Sequence, residues 1–300
     1  MKNFIIKILL LFGALFIIDF IIGKFFTHIA NNIHSGVYGR DNYISNEAVE
    51  DVLIFGSSRA LHHYNAPMIT DSLGLSCYNC GDDGCGIILS YGRLKMAKER
   101  HTPRIIIQDI LYSFDIKESD NSKFLGFLKS HYDRAGIPEM FDSIDKLEKY
   151  KMFSYLYRYN SKYHQLLFSY LTDTTKDPLQ GFRPSVGKLD KLKLKKKSDT
   201  SIIVDSLKIS YVNKFIDISQ DSKLYFVVSP IWYGLEPQLT QPIKDICTKR
   251  GITYLDFSNS PKYVHKDKYF RDGLHLNIMG ADEFTKDLLN IISSDIKKKK

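Results

Sequence analysis

Cysteine is scarce, with four in 300 residues, at positions 77, 80, 85 and 247. Cys77-x-x-Cys80 has no second Cys-x-x-Cys and no spaced histidine pair to complete a zinc site. The thiols therefore read as small buried side chains, with one disulfide in an oxidising compartment as the alternative. No internal repeat is visible, and no aromatic-interleaved basic face or nucleic-acid module accompanies the lysines, which argues against a nucleic-acid partner. Apolar residues are not lacking. At 44% hydrophobic, 13% aromatic and 25% charged, the composition excludes disorder as the main theme.

The net charge of +8 is local. Six lysines (188, 191, 193, 195, 196 and 197) form one cluster, and Lys297 to Lys300 form a tail; without these ten the balance becomes −2. They read as a solvated loop and a frayed end, or as a patch for anionic lipid or acidic glycan.

Phe4 to Ile22 is almost wholly apolar, interrupted only by Lys7 and Asp19. About 20 such residues span a bilayer, and charged side chains near the ends can reach the interface. Residues 1–26 are expected to form a single membrane anchor, with a cleaved signal peptide as the rival, although no Ala-x-Ala site follows. Lys2, Lys7 and the amino terminus favour a cytoplasmic N-terminus and an extracytoplasmic body, with Lys24 counting against.

Residues 27–50 read as a polar, aromatic-studded connector, and 51–297 as one domain. Asp51 to Phe55, Leu75 to Asn79, Arg104 to Leu111, Lys223 to Pro230 and Thr253 to Phe257 read as strands. Helical patterns cover Tyr64 to Leu73, Ile87 to Arg100, Ser206 to Ile218, Gln241 to Arg250 and Gly280 to Lys297. Strands alternating with helices predict an α/β fold, a parallel sheet covered on both faces. The stretch 116–200, rich in Tyr, Phe and Lys, breaks the pattern. It is expected to be a mostly helical insertion near the strand C-terminal ends, either lining a ligand site or serving as a structural cap.

Two short segments carry chemistry. Phe55-Gly56-Ser57-Ser58-Arg59 presents a serine directly after the first strand, and Asp272-Gly273-Leu274-His275 sets a carboxylate three residues before a histidine just ahead of the last helix. Serine needs a base to take its proton, and the base needs a partner to fix its tautomer; an Asp-x-x-His loop offers both. Ser58 at a helix start would also have free N–H groups nearby for a developing oxyanion. His62, four residues on, shares a helix face with Ser58 and would line the cleft, or the His62–His63 pair would face solvent. Trp232 follows the fourth strand and would stack on a sugar ring or pack internally. Asp109 reads as a hydrogen-bonded structural carboxylate.

With the strands in place, the chain resembles the SGNH (GDSL-like) hydrolase superfamily over roughly Asp51 to Lys297, less the insertion. The resemblance implies a three-layer α/β/α, flavodoxin-like fold and a membrane-anchored serine esterase or O-acyltransferase. Its substrates would be O-acyl esters of envelope glycans, and its neighbour a membrane acyltransferase. No cofactor or metal is implied. Phe55-Gly56-Ser57-Ser58 is similar to the family's Gly-Asp-Ser turn, which makes Ser58 the nucleophile and its N–H an oxyanion donor. Tyr78-Asn79-Cys80-Gly81-Asp82-Asp83-Gly84 is similar to the Asn…Gly segment, with Gly84 as oxyanion glycine and Gly81 next. In Asp272-Gly-Leu-His275-Leu-Asn-x-x-Gly280, His275 is the base and Asp272 its orienter. Arg59, His62, Asn79 and Trp232 are the substrate-side candidates. The chain departs in two ways: Ser57 replaces the aspartate before the nucleophile, and no Gly-x-Asn occurs in Ile107 to Asp115, so the third oxyanion donor is missing. Asn65 and Asn79 are the available substitutes. A fold retained for binding, without chemistry, is the rival function. A third role would have the insertion dock onto another membrane protein.

Overall fold

A computed structural model describes residues 1–174, 177–194 and 203–297. Lys195 to Lys197 of the lysine cluster and Lys298 to Lys300 of the tail lie outside the described residues. Helices in the first half are α1 Lys2–Asn31, α2 Gly36–Asn46, α3 Ser58–His63, α4 Ala66–Leu73, α5 Ile87–Lys98 and α6 Tyr112–Asp115. The second half adds α7 Pro138–Ile144, α8 Glu148–Lys151, α9 Tyr163–Leu171, α10 Ser206–Ile218, α11 Gln241–Arg250 and α12 Ile278–Lys297. The chain divides into two compact units, one of residues 1–46 and 121–177 and the other of 47–120 and 178–300.

The second unit is an α/β layer structure. Its strands are β1 Val52–Phe55, β2 Cys77–Asn79, β3 Ile105–Asp109, β4 Lys223–Val228 and β5 Thr253–Asp256. All pair in parallel, in the order β2-β1-β3-β4-β5. This is the flavodoxin-like order, whose crevice lies where β1 and β3 send their connections to opposite faces. The three central strands are buried almost throughout, which explains their continuous apolar runs. Alternate residues feed the two faces. Ile54, Ile107 and Val227 pack with Phe284, Leu288 and Ile292 of α12, while Phe55 and Phe226 meet Phe215 of α10, with ring centroids 5.8 and 6.2 Å apart. Each fully buried side chain of this kind contributes about 1.5–3 kcal/mol. Local signals set the helix ends. The Asn65 side chain accepts the Met68 N–H at 3.1 Å to start α4, and Gly74, at φ 64°, ends it in the left-handed region.

The stretch expected to be one insertion, 116–200, is split. Its neck belongs to the sheet unit: Glu118 N–H bonds Ile203 C=O at 2.9 Å and Asp205 N–H bonds Ile116 C=O at 2.8 Å. Its tail returns there as well, with Asn79 N–H bonding Gln180 C=O at 2.8 Å and Arg183 N–H bonding Leu61 C=O at 3.0 Å.

The first unit joins the N-terminal residues to 121–177. The apolar helix runs to Asn31, beyond the expected boundary at 26, and the expected connector contains α2. Phe26, Ile29 and Ile33 are buried against Tyr159 and Leu166. Asp19 does not reach out to solvent as a long side chain at an interface would. Its carboxylate accepts the Ser154 hydroxyl at 2.5 Å and the N–H groups of Tyr155 and Leu156 at 2.8 and 3.2 Å. The C-terminal end of α1 is thus core material for this unit. Tyr155 and Tyr157 are half-buried, and Phe168 is exposed.

Candidate active site

β1 delivers the serine. After Phe55 the chain turns at Gly56, whose φ of 141° and 2.8 Å approach to the Asp109 carbonyl at the Cβ position suit glycine alone. Ser57 is extended and Ser58 opens α3. The Ser58 Oγ lies 2.8 Å from His275 Nε2. On the other side of the ring, Nδ1 is 2.9 and 3.0 Å from the two oxygens of Asp272. A carboxylate only accepts, so Nδ1 carries the proton and Nε2 is left to accept from the serine hydroxyl. The structure therefore brings Ser58, His275 and Asp272 into one hydrogen-bonded line.

Asp272 is held locally. One of its oxygens also accepts the N–H groups of Leu274 and His275, at 2.8 and 2.9 Å. Partial burial opposes its charge, but the His275 hydrogen bond and charge and those two N–H groups prevail and bring its pKa down to about 2. The loop is tied on several sides. Arg271 N–H bonds His275 C=O at 2.9 Å, Trp232 N–H bonds Gly273 C=O at 3.2 Å, and Ile278 N–H bonds Ser185 C=O at 3.0 Å.

The oxyanion candidates separate. The Ser58 N–H has no protein acceptor among the described residues. Gly84 sits at an exposed turn, φ 68°, with nothing within 4 Å of its Cβ position. This turn borders the site, since the Asp83 carboxylate is 3.4 Å from His62 Nε2. Gly81 does not fit the expected role. It donates its N–H to Asn79 Oδ1 at 3.0 Å, and its backbone presses on α3 so closely that a Cβ would fall 2.6 Å from Leu61 N.

Three of the four substrate-side candidates are structural. Arg59 is fully buried and gives Nε and Nη2 to Asp109 at 3.1 Å each, because its helix points it under the sheet top and not into the cleft. Asn79 is fully buried, donating to the carbonyls of Ala60 and Tyr64 at 2.7 and 3.1 Å; it braces α3. Asn65 spends its amide on Asp282 at 2.8 Å, so neither asparagine replaces the missing oxyanion donor. Trp232 packs edge-on against His265, 4.6 Å between centroids, and gives its indole N–H to Asp267 at 3.0 Å. His62 alone lines the site, its ring 5.7 Å from that of His275. Its Nδ1 meets the Arg183 carbonyl at 2.6 Å and its Nε2 the Asp83 carboxylate. Burial lowers its pKa, but both acceptors favour the cation and the net shift is upward. The pair does not face solvent, since His63 is completely buried. Asp109 is the expected structural carboxylate, completed by the Tyr64 hydroxyl at 2.7 Å and the Ser229 N–H at 3.2 Å. All four cysteines are buried thiols outside any disulfide.

One neighbour, Tyr233, escaped the sequence, and another, His63, has a role its reading as part of a solvent-facing pair did not include. The Tyr233 ring lies against Gly273, 2.8 Å from its Cβ position, and feels the Asp272 charge. His63 reaches the base loop from below, accepting the Leu276 N–H on Nε2 at 3.0 Å. No local spacing signals either contact.

No protein-family model and no curated protein sequence matches the chain. Among solved structures it is similar to a family two carbohydrate esterase from Clostridium thermocellum in complex with cellohexaose. That match has 11% identity and a TM-score of 0.40, covering 84% of this chain and 66% of that one, just under two thirds of its length. It is also similar to a protein described as a candidate platelet activating factor from Streptococcus pneumonia, at 11% identity and a TM-score of 0.37, covering 95% of this chain and 98% of that one.

Proposed function

We propose that this chain is a membrane-tethered serine esterase or O-acyltransferase acting on acyl esters, with O-acetyl groups of envelope glycans as its substrates. The observation that carries the reading is the Ser58–His275–Asp272 line at the C-terminal end of β1, with the histidine tautomer set for taking the serine proton. Ser58 Oγ attacks the ester carbonyl as its proton passes to His275 Nε2. The tetrahedral intermediate collapses, the alkoxide leaves with that proton, and an acyl-Ser58 ester remains. Water or a sugar hydroxyl then attacks the acyl group, giving its proton to His275, and Ser58 regains one. Asp272 holds the ring and balances its charge throughout. The Ser58 N–H and the Gly84 turn are the oxyanion donors in this reading. One donor fewer than the SGNH pattern costs about 10²–10³ in rate.

The tether is α1. Its packing into the first unit through Phe26, Ile29 and Asp19 favours a retained helix over a cleaved signal. Lys2 and Lys7 favour an N-terminus in the cytoplasm and the site outside. A membrane acyltransferase is the partner that would supply or receive acyl groups. A second reading, a glycan-binding protein without chemistry, is favoured by the missing Gly-x-Asn and by the diverted Gly81 N–H. Fluorophosphonate labelling of the detergent-solubilised full chain, read by intact mass, separates the two. One adduct, absent in Ser58→Ala and slowed in His275→Ala, supports the enzyme. No adduct on folded protein supports the binder.

A further inference from the structure

We infer that the first unit seats the exposed stripe Leu147, Tyr150 and Phe153 in the headgroup layer of the bilayer that α1 crosses. The inference rests on the tether reading and names a second, peripheral contact with the same membrane. These three residues, spaced i, i+3 and i+6, are 64%, 61% and 74% exposed. Single exposed apolar residues are ordinary, but a stripe of three large ones in a small helical unit marks an interaction surface.

The occupant follows from the level of Phe153, the end of the stripe, along α1. From Phe4 to Phe16 the helix is bare, with Phe4, Leu10, Phe12 and Phe16 each more than 60% exposed. At 1.5 Å per residue, the 19 residues from Phe4 to Ile22 extend about 28 Å, close to a hydrocarbon core of about 30 Å. Asp19 is the first residue that protein covers, and an uncovered carboxylate deeper in the core would be costly. Its covering donors are Ser154, Tyr155 and Leu156. Phe153 immediately precedes them, so it lies where the bare apolar surface of α1 gives way to protein. Phe20 continues that surface, 42% exposed and edge-on to Tyr155 at 5.3 Å. Aromatic side chains prefer this interfacial depth, and exposed Lys146 beside Leu147 can reach phosphate. Leu171 gives the contrast. It is 80% exposed, but α9 runs away from Asp19, with nearby Asp173 bonding His34 beyond the far end of α1. That side chain should stay out of lipid.

Added-tryptophan reporters in the full chain, reconstituted in phosphatidylcholine–phosphatidylglycerol vesicles, test this. Emission is read above the Trp232 background of the wild type. Phe153→Trp should lose emission to lipid brominated near the headgroups more than to lipid brominated near the midplane. Phe12→Trp should show the reverse order, and Leu171→Trp should respond to neither. Quenching of Phe12→Trp but not of Phe153→Trp would overturn the docking and leave the tether standing. If Phe12→Trp is not quenched, the tether fails and the docking falls with it.

Discussion

His63 offers a sharp test of how the base is held. It is buried completely in α3, donates Nδ1–H to Ser229 Oγ at 2.8 Å and accepts the Leu276 N–H at 3.0 Å. Burial, then the charges of Arg59, His275 and His62, keep it well below the usual histidine pKa, so it works as a neutral acceptor. Leucine in its place fills similar volume but strands two polar groups. A buried group left unpaired costs about 1–3 kcal/mol, so His63→Leu should lose roughly 2–6 kcal/mol. The corresponding drop in Tm is roughly 4–24 °C. Part of that strain will be relieved by moving the Leu276 peptide, which carries His275 with it. A misplacement of about 1 Å costs about 10²-fold in rate, so kcat for an aryl acetate should fall by about 10- to 100-fold with KM little changed. Gln at 63 puts an amide oxygen near the place of Nε2 and should restore most of the activity without restoring the Ser229 bond. The pH dependence is a third readout. A histidine forced neutral in the folded state charges on unfolding, so stability falls as pH drops through about 6.5, and His63→Leu should flatten that slope. A folded His63→Leu protein with kcat within about twofold of wild type, or His63→Gln no better than His63→Leu, would refute the positioning role.

Other outcomes follow from the same geometry. Asp272→Asn should lower kcat by about 10²–10⁴, because an amide cannot enforce Nδ1–H on His275; unchanged turnover would remove Asp272 from the mechanism. Since Asp272 stays ionised down to about pH 2, its stabilisation is complete above about pH 4 and lost only as pH falls toward 2. The acid limb of the kcat/KM profile should therefore show one proton above about pH 4, and a two-proton slope would count against the assignment. Arg59→Met strands Asp109, which is fully buried like its partner; denaturant titration should show a loss of about 3–5 kcal/mol, and Arg59→Met with Asp109→Leu should recover much of it. Asn79→Ala removes three hydrogen bonds that join α3 to the Gly81 loop. We expect about 2–4 kcal/mol less stability, measured the same way, together with slower fluorophosphonate labelling.

What could be read in the sequence, and what could not, divides by range of contact. The five strands were legible because a buried parallel strand writes itself as a short apolar run. The Asp272–His275 pair was legible because three residues of loop suffice to close it, through the Leu274 and His275 N–H groups. Arg59, Asn79 and Gly81 were misread for the opposite reason. Their types suit substrate or oxyanion, but their partners are set by packing: Asp109 lies 50 residues from Arg59, and Gly81 loses its N–H to an asparagine already committed to α3. Asp19 was misread likewise, as an interfacial side chain, when residues 154–156 return to cap it. In each case the residue type stated the hydrogen-bonding capacity correctly, and only the fold decided which group would use it. The oxyanion site is where this matters most. A missing Gly-x-Asn is visible in the letters, but the loss of Gly81 is not, and in the proposed reading the two together leave Ser58 and the Gly84 turn as the oxyanion donors. Slow chemistry on a well-assembled triad is therefore the behaviour the proposed enzyme should show, and fast turnover would mean that a further donor reaches the oxyanion.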